Sequence, residues 1–304
     1  MSTAKHACAD VAASIASRSS TKPFARIVIN AQGTEEKPRL AASSYLNSAP
    51  LIWSFTKGSL RDSVTHIDAV PARCAELLAA GDADCGVVPI IEYQRIAGAK
   101  LVPDVCVGSR EKVRSVLLVS RLNNLKKIRS VSLDESSRTS ATLTKVIFQE
   151  FLGIEPAWVT SSPDISRMLR DSDAALMIGD PAMTVSRDGL NVWDLATLWH
   201  DFTGTGFVFA MWMAKENVRS ELLSVDFASA KEEGVNAIDE IVDDYERRLR
   251  LPAHDLRDYL INNITFDLDN DLKSGMQRYF ELALRHGLIN RLRPLEYFRM
   301  HDGG

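Results

Sequence analysis

The sequence predicts an α/β protein built as two lobes, and three features of the 304-residue chain support this prediction. Short apolar runs alternate with amphipathic segments from Arg39 onward, which is typical of strand–helix–strand units with parallel strands. The alternation starts again at Ser130, which indicates a second unit of the same kind. Three amphipathic segments of helical spacing close the chain. A chain of this length buries about 75% of its unfolded surface, so folding requires no disulfide or metal.

The first unit contains three predicted strands and one clearly delimited helix. The strands are apolar runs at Leu40–Ser43, Val64–Ala69 and Asp84–Val88. The helix begins at Pro71, because proline is tolerated in a first helical turn, and it stops at Gly81. The spacing of its apolar residues predicts one buried face.

The second unit and the tail repeat these signals. A helix is predicted after Ser136 or Ser137, which are good N-cap residues, and it ends at Gly153. The remaining predicted strands are Val113–Ser120, Ser130–Leu133, Trp158–Thr160, Ala175–Ile178 and Val208–Met213. The closing helices are predicted around Ile238–Leu249, Pro252–Ile261 and Leu272–Ala283.

The order of these elements predicts where the chain passes between the lobes. We expect a crossing near Val113–Lys126 and a return near Phe207–Ala214. The first lobe would then hold residues 39–118 and 210–304, and the second lobe residues 119–209. Residues 1–38 are rich in Ala and Ser without a sustained apolar run, so we expect a disordered extension.

Composition and missing motifs disfavour several classes of protein. Lys and Arg total 36 against 40 Asp and Glu, which gives no basic footprint for nucleic acid or anionic membranes. No apolar run approaches the roughly 20 residues of a membrane helix. The four cysteines form no CxxC pair, so we expect buried, reduced thiols and no metal site. The sequence lacks GxGxxG, Walker, HExxH and GxSxG motifs, so we expect no cofactor.

A polar loop follows the first predicted strand. It reads SYLNSAP, Ser44–Pro50, and its Asn47 side chain carries two donor hydrogens and an acceptor oxygen. Such a loop either satisfies its own backbone in an Asx turn or presents Asn47 to a ligand. Both interpretations remain open from the loop alone.

A second polar segment, Ser136–Ser140 (SSRTS), opens a predicted helix. The free amides and the positive dipole end of a helix start bind a carboxylate or a phosphate. The hydroxyls of Ser137, Thr139 and Ser140 add donors, and Arg138 adds a charge. The alternative is an ordinary capping cluster with Arg138 in solvent.

Two acidic residues follow apolar strands. Asp180 lies in IGDPA, Ile178–Ala182, where it either caps the next segment or faces a ligand crevice. Glu92 lies in GVVPIIEYQR, Gly86–Arg95, where it is either catalytic or a solvated acid. Neither position alone distinguishes the alternatives.

The order of these motifs is more informative than each motif. SYLNSAP, GDADCGVVPIIEYQR, SRTS, IGDPA and DLATLWHDFTGTGFVFAMW follow one another, and the tail contains ITFDLDNDLKSGMQRYFELALRHGLI. In this order they resemble the chorismate dehydratase family of menaquinone biosynthesis. The resemblance covers about Arg39 to Phe298.

The resemblance implies a two-lobed fold similar to type II periplasmic binding proteins, with a ligand cleft between the lobes. It implies conversion of chorismate to 3-[(1-carboxyvinyl)oxy]benzoate and water, the entry step of the futalosine route to menaquinone. Formation of an aromatic ring by loss of water needs no redox cofactor or metal. The resemblance also implies a cytoplasmic enzyme that acts on a small molecule, as a monomer or a homodimer.

The resemblance also implies which residues form the site. Asn47 and Asp180 are the expected catalytic residues. Asn47 would orient the substrate near the leaving hydroxyl, and Asp180 would have a hydrogen-bonding or proton-transfer role. The expected substrate-binding residues are Ser44, Ser48, Ile90, Ser137, Arg138, Thr139, Ser140 and Phe207.

Two departures from the family pattern affect the expected contacts. Ile90 stands where many members have serine, which removes a hydroxyl. Thr205-Gly206 stands where Leu-Pro is usual, so we expect a looser segment between the lobes.

Two other functions remain from different classes. A non-catalytic small-anion binding protein of the same fold would carry an export signal, and none is found. A regulator that senses an aromatic metabolite would need a DNA-binding helix pair and a basic face, which the acidic balance disfavours.

Overall fold

A computed structural model describes residues 37–215, 222 and 224–298. Nearly all of the predicted N-terminal extension therefore lies outside the described residues. Within the described part, the chain forms two sheets flanked by helices, which confirms the predicted two-lobed α/β class.

The described strands divide into a six-stranded and a five-stranded sheet. In chain order they are β1 (Arg39–Ala42), β2 (Thr65–Asp68), β3 (Cys85–Pro89), β4 (Ala99–Ser109), β5 (Val116–Ser120), β6 (Ser130–Asp134), β7 (Ala157–Ser161), β8 (Ala174–Ile178), β9 (Asn191–Asp194), β10 (Phe207–Lys215) and β11 (Thr265–Asp267).

The sheets are mixed rather than wholly parallel. In the first, ordered β11-β4-β10-β3-β1-β2, β1 pairs parallel to β2 and β3, and β10 runs antiparallel between β3 and β4. In the second, ordered β7-β6-β8-β5-β9, β6 pairs parallel to β7 and β8, while β5 is antiparallel to β8 and β9. The antiparallel strands β5 and β10 are those that follow the two crossings.

The helices cover the sheets and close the chain. In chain order they are α1 (Ala49–Thr56), α2 (Pro71–Ala80), α3 (Arg138–Val146), α4 (Ile165–Asp171), α5 (Gly179–Thr184), α6 (Leu195–Thr203), α7 (Phe227–Asn236), α8 (Ile238–Leu249), α9 (Ala253–Asp258) and α10 (Asn270–Arg285). Pro71 opens α2 and Gly81 ends it in the left-handed conformation, as predicted. Helix α3 continues in a π-helical turn to Gly153.

The chain crosses between the sheets in two short segments. The first joins β4 to β5 through residues 110–115, and the second joins α6 to β10 through residues 204–206. The predicted boundaries at 118/119 and 209/210 fall inside β5 and β10. Because backbone hydrogen bonds tie each strand to one sheet, β5 lies wholly with the second sheet and β10 with the first.

The Thr205-Gly206 segment is tightly held, and the expectation of a loose connection was wrong. The Gly206 amide donates to Asp271 Oδ2 (2.8 Å), and Trp199 Nε1 donates to Thr205 Oγ1 (3.1 Å). A Cβ on Gly275 would overlap the Gly206 carbonyl oxygen, so α10 packs directly against this backbone. Absence of a side chain at Gly206 permits close packing here.

The described cysteines, Cys74, Cys85 and Cys106, are buried and free. Burial raises the pKa of the Cys74 thiol to about 12, so it is protonated at neutral pH. In the described ranges, no helix is long and apolar enough to cross a membrane.

Candidate active site

A pocket with about 50 Å³ of free space lies between the two lobes. Residues of both lobes line it. The first lobe contributes Ser43, Tyr45, Asn47, Ser48, Pro71, Val87, Pro89, Val107, Phe209 and Ala210, and the second contributes Val116, Ser137, Arg138, Thr139, Ser140, Ile178 and Gly179.

The polar loop after β1 brings Asn47 to this cavity. A short 3₁₀ turn, Leu46–Ser48, leads directly into α1 and places Asn47 half-buried at the cavity wall. The Asn47 Oδ1 accepts a hydrogen bond from the Ser48 hydroxyl (3.3 Å). Its Nδ2 remains as the donor group of the side chain.

The start of α3 forms the opposite wall. Asp134 Oδ1 accepts from the amide and the hydroxyl of Ser136, at 2.9 and 2.6 Å, which fixes the turn before the helix. No side chain caps α3, although Ser137 occupies the N-cap position. The Ser137 hydroxyl is buried at the cavity and has no hydrogen-bond partner among the described residues. The first-turn amides also lack intrahelical acceptors, so this helix start offers neutral donors for an anion.

Arg138 lines the cavity, but its guanidinium is paired with two carboxylates of the first lobe. Its guanidinium donates to Glu92 Oε2 (3.0 Å) and to Glu76 Oε1 (2.8 Å), both in the first lobe. Glu92 is buried and also accepts from Arg95 Nη1 (2.8 Å). Arg138 therefore joins the lobes, and Glu92 is fully engaged by two arginines.

Asp180 binds the backbone of the loop that carries Asn47. Its Oδ1 accepts from the Leu46 amide (2.9 Å), which belongs to the other lobe. Burial raises the pKa of Asp180 to about 6, against the opposing effects of the Leu46 amide and Arg248. Asp180 is absent from the cavity lining, where its neighbour Gly179 forms the wall.

Gly179 allows the loop to approach this wall. Its backbone has a φ of +62°, and a Cβ there would lie 2.6 Å from the Tyr45 ring. Only glycine fits both the left-handed conformation and the close ring. Burial and the nearby Asp134 carboxylate raise the pKa of Tyr45, which keeps it a neutral donor.

The structure brings six of the ten predicted site residues together at the cavity: Asn47, Ser48, Ser137, Arg138, Thr139 and Ser140. Besides Asp180, three predicted residues lie outside its lining. Ser44 lies in the loop after β1 and borders a separate pocket beside His66 and Asp68, whereas its neighbour Ser43 lines the cavity. Ile90 is fully buried, and its neighbour Pro89 lines the cavity instead. Phe207 packs against Trp199 and Tyr279, and Phe209 lines the cavity instead.

Sequence reasoning missed Tyr45, Gly179 and the apolar walls. Tyr45 is part of the SYLNSAP motif and Gly179 is part of IGDPA. In these motifs only Asn47 and Asp180 were singled out, although the neighbouring residues also form the site. The apolar wall residues Val87, Val107 and Val116 lie on three different strands, and only the sheet order brings them together.

The resulting site is nearly neutral. The ionisable side chains that line it are Tyr45 and Arg138, and two carboxylates engage Arg138. In the described part of the chain, no group of three or more His, Cys, Asp or Glu residues is placed to hold a metal ion. The arrangement suits an anion held by hydroxyl and amide donors, with apolar surface around the rest of the ligand.

Sequence comparison matches residues 38–285 to the menaquinone biosynthesis family. A chorismate dehydratase from Thermus thermophilus is 29% identical over 263 residues, which cover 80% of this chain and 93% of that protein.

Solved structures support the architecture. An Archaeoglobus fulgidus protein, AF1704, superposes with a TM-score of 0.67 at 13% identity, covering 83% of this chain and 98% of that one. The aliphatic sulphonate binding protein SsuA from Escherichia coli gives 0.56 at 18% identity, covering 87% and 94%. At these identities the likeness establishes the fold alone, which is that of the periplasmic binding proteins.

Proposed function

The chain belongs to the menaquinone biosynthesis family, and we propose that it is a chorismate dehydratase. The proposed reaction converts chorismate to 3-[(1-carboxyvinyl)oxy]benzoate and water. We place it at the entry of the futalosine route to menaquinone, in the cytoplasm. The observation that carries the proposal is the uncapped start of α3, with its unpaired Ser137 hydroxyl, on the same cavity as Asn47.

The reaction balances without a redox partner. The ring carbon that bears the enolpyruvyl ether loses a proton, and the adjacent carbon loses hydroxide. The proton and the hydroxide leave as one water, and the ring gains its third double bond. The ring carboxylate conjugates with the carbon that loses the proton, so the developing negative charge is spread over the ring and that carboxylate.

The start of α3 suits one substrate carboxylate. A free helix start attracts negative charge through its amides and its dipole, and the Ser137 hydroxyl adds a donor. Because Arg138 is engaged by Glu76 and Glu92, we assign recognition to these neutral donors. Arg138 would instead keep the lobes together over the substrate.

Asn47 suits the leaving hydroxyl. Its Oδ1 is occupied by Ser48, and its Nδ2 donors would polarise the hydroxyl as the carbon–oxygen bond breaks. None of the lining residues is an aspartate, glutamate, histidine or lysine that could act as a base. We therefore assign proton removal to the enolpyruvyl carboxylate of the substrate, and the protein contributes orientation and exclusion of water.

Incubation of the purified protein with chorismate tests the proposal. An aromatic enolpyruvyl product, separated by chromatography and identified by mass, is expected from the wild type. Asn47→Ala should reduce kcat by about a hundredfold, the range measured when one such donor is removed elsewhere. Tight binding of chorismate without turnover would instead indicate a small-anion binding protein of the same fold.

A further inference from the structure

We propose that Asp180 is a positioning residue: from the second lobe, its carboxylate sets the Asn47 side chain in the first lobe by holding the Leu46 amide. The inference rests on the proposed dehydration and assigns Asp180 a role other than proton transfer. It makes docking of the lobes a condition for a correctly placed Asn47.

The first lobe fixes only the beginning of the loop. The Ser44 amide donates to Asp68 Oδ1 (2.9 Å), and the Ser44 carbonyl accepts from Tyr245 Oη (2.8 Å) and Arg248 Nη2 (3.0 Å). These contacts stop three residues before Asn47. They set where the loop starts, and a turn bond from the Ser48 amide to the Tyr45 carbonyl (2.9 Å) shapes the tip from within the loop.

The second lobe holds the loop tip at two points. The Tyr45 ring packs on the backbone of Gly179, which has no Cβ to obstruct it. The next residue, Asp180, binds the Leu46 amide at 2.9 Å. Leu46 immediately precedes Asn47, so this hydrogen bond fixes the backbone next to Asn47, whose own Oδ1 accepts from Ser48.

The geometry does not support a proton-transfer role. Asp180 does not line the cavity, and its Oδ1 is committed to Leu46. Its Oδ2 is enclosed without a hydrogen-bond partner among the described residues, 3.8 Å from Arg248 Nη2. Asp180 is not among the lining residues, whereas Tyr45, Asn47 and Ser48 of the loop that it binds are.

Two substitutions separate positioning from proton transfer. Asp180→Asn keeps a carbonyl oxygen that accepts from Leu46, and Asp180→Ala removes the acceptor. Positioning predicts that kcat stays within about threefold of wild type in the first, and falls about tenfold to a hundredfold in the second. KM should change less than kcat, because the carboxylate-binding end of the cavity is untouched.

A matched control lies at the other end of the same strand. Asp173 precedes β8 and accepts from the amides of Arg129 (2.8 Å) and Ser130 (3.2 Å), whereas Asp180 follows β8. Asp173→Ala removes comparable backbone hydrogen bonds away from the cavity. It should lower the melting temperature while leaving kcat within twofold of wild type.

Hydrogen–deuterium exchange at the Leu46 amide is a measurement that does not depend on catalytic activity. Protection of this amide should fall in Asp180→Ala and persist in Asp180→Asn and Asp173→Ala. Equal loss of kcat in Asp180→Asn and Asp180→Ala, or unchanged Leu46 exchange in Asp180→Ala, would overturn the positioning role. An inactive wild type with the expected exchange pattern would instead overturn the proposed dehydration.

Discussion

Arg138 and Glu92 face each other across the boundary between the lobes, with Nη1 of the arginine 3.0 Å from Oε2 of the buried carboxylate. Glu92 follows β3 in the first lobe, and Arg138 begins α3 in the second. The pair therefore places the uncapped start of α3 against the first lobe. This ion pair therefore connects the two walls of the site.

Arg138→Gln should lower the stability of the fold and loosen the contact between the two lobes. Glu92 stays buried and keeps only Arg95, so we expect the free energy of unfolding to fall by about 1–3 kcal/mol. Arg73→Gln is the control, because its pair with Glu76 is exposed and should contribute under about 1 kcal/mol. Urea denaturation of both variants measures this, and equal effects would contradict the cross-lobe role of Arg138.

Ser137→Ala should separate binding from stability. Its hydroxyl has no partner among the residues that the structure describes, so we expect the free energy of unfolding to change by less than about 0.5 kcal/mol, while substrate affinity falls about tenfold. Ser132→Ala is the opposite case, because that hydroxyl bonds Ser172 (2.9 Å) in the second lobe. It should lose about 1 kcal/mol of stability and no affinity. Calorimetric titration and thermal unfolding measure both quantities, and wild-type affinity in Ser137→Ala would exclude the hydroxyl as a ligand.

The stability advantage of Asp180→Asn over the wild type should grow as the pH rises, because the wild type loses stability. Burial raises the folded pKa of Asp180 to about 6 from 3.8, so the native state retains this proton over a range in which the unfolded chain has lost it. The stability of the wild type therefore falls as pH rises from about 4 to about 6, and it is level above that.

The asparagine variant lacks this titration. Its advantage should be near zero at pH 4 and roughly 2 kcal/mol at pH 8. Urea titrations at several pH values measure the difference. A difference that is constant with pH would show that Asp180 titrates normally.

Gly275→Ala should disturb the return crossing. The added methyl group would overlap the Gly206 carbonyl oxygen, so we expect a loss of about 1–3 kcal/mol despite the better helix propensity of alanine. Ser274→Ala, one residue earlier and exposed, should stay within about 0.5 kcal/mol. A Gly275→Ala variant as stable as wild type would show that α10 can move away from Gly206 at no cost.

Local signals in the sequence were sufficient for many elements and for part of the site. Pro71 and Gly81 marked both ends of α2, and the serines before Arg138 marked the start of α3. These features depend on the conformational preferences of a few neighbouring residues. The segments that carry Asn47 and Ser137 were found for the same reason.

What the sequence left open depends on contacts between distant residues. Strand β4 was not predicted, since Pro103 and Asp104, with a φ of +60°, interrupt its pattern. The bond from Asp180 to the Leu46 amide joins residues 134 positions apart, and no local pattern reports it. Phe207 and Phe209 lie two positions apart in β10 with their rings in contact, and only the fold decides which of them lines the cavity.

Turnover of chorismate is the most direct test of the central claim that a neutral, closed cleft removes water from this dianion. Proton NMR would follow chorismate incubated with EDTA-treated protein, beside the Asn47→Ala variant. We expect stoichiometric conversion to 3-[(1-carboxyvinyl)oxy]benzoate by the wild type and about a hundredfold slower conversion by the variant. Chorismate that remains unconverted, or equal rates for the two proteins, would contradict it.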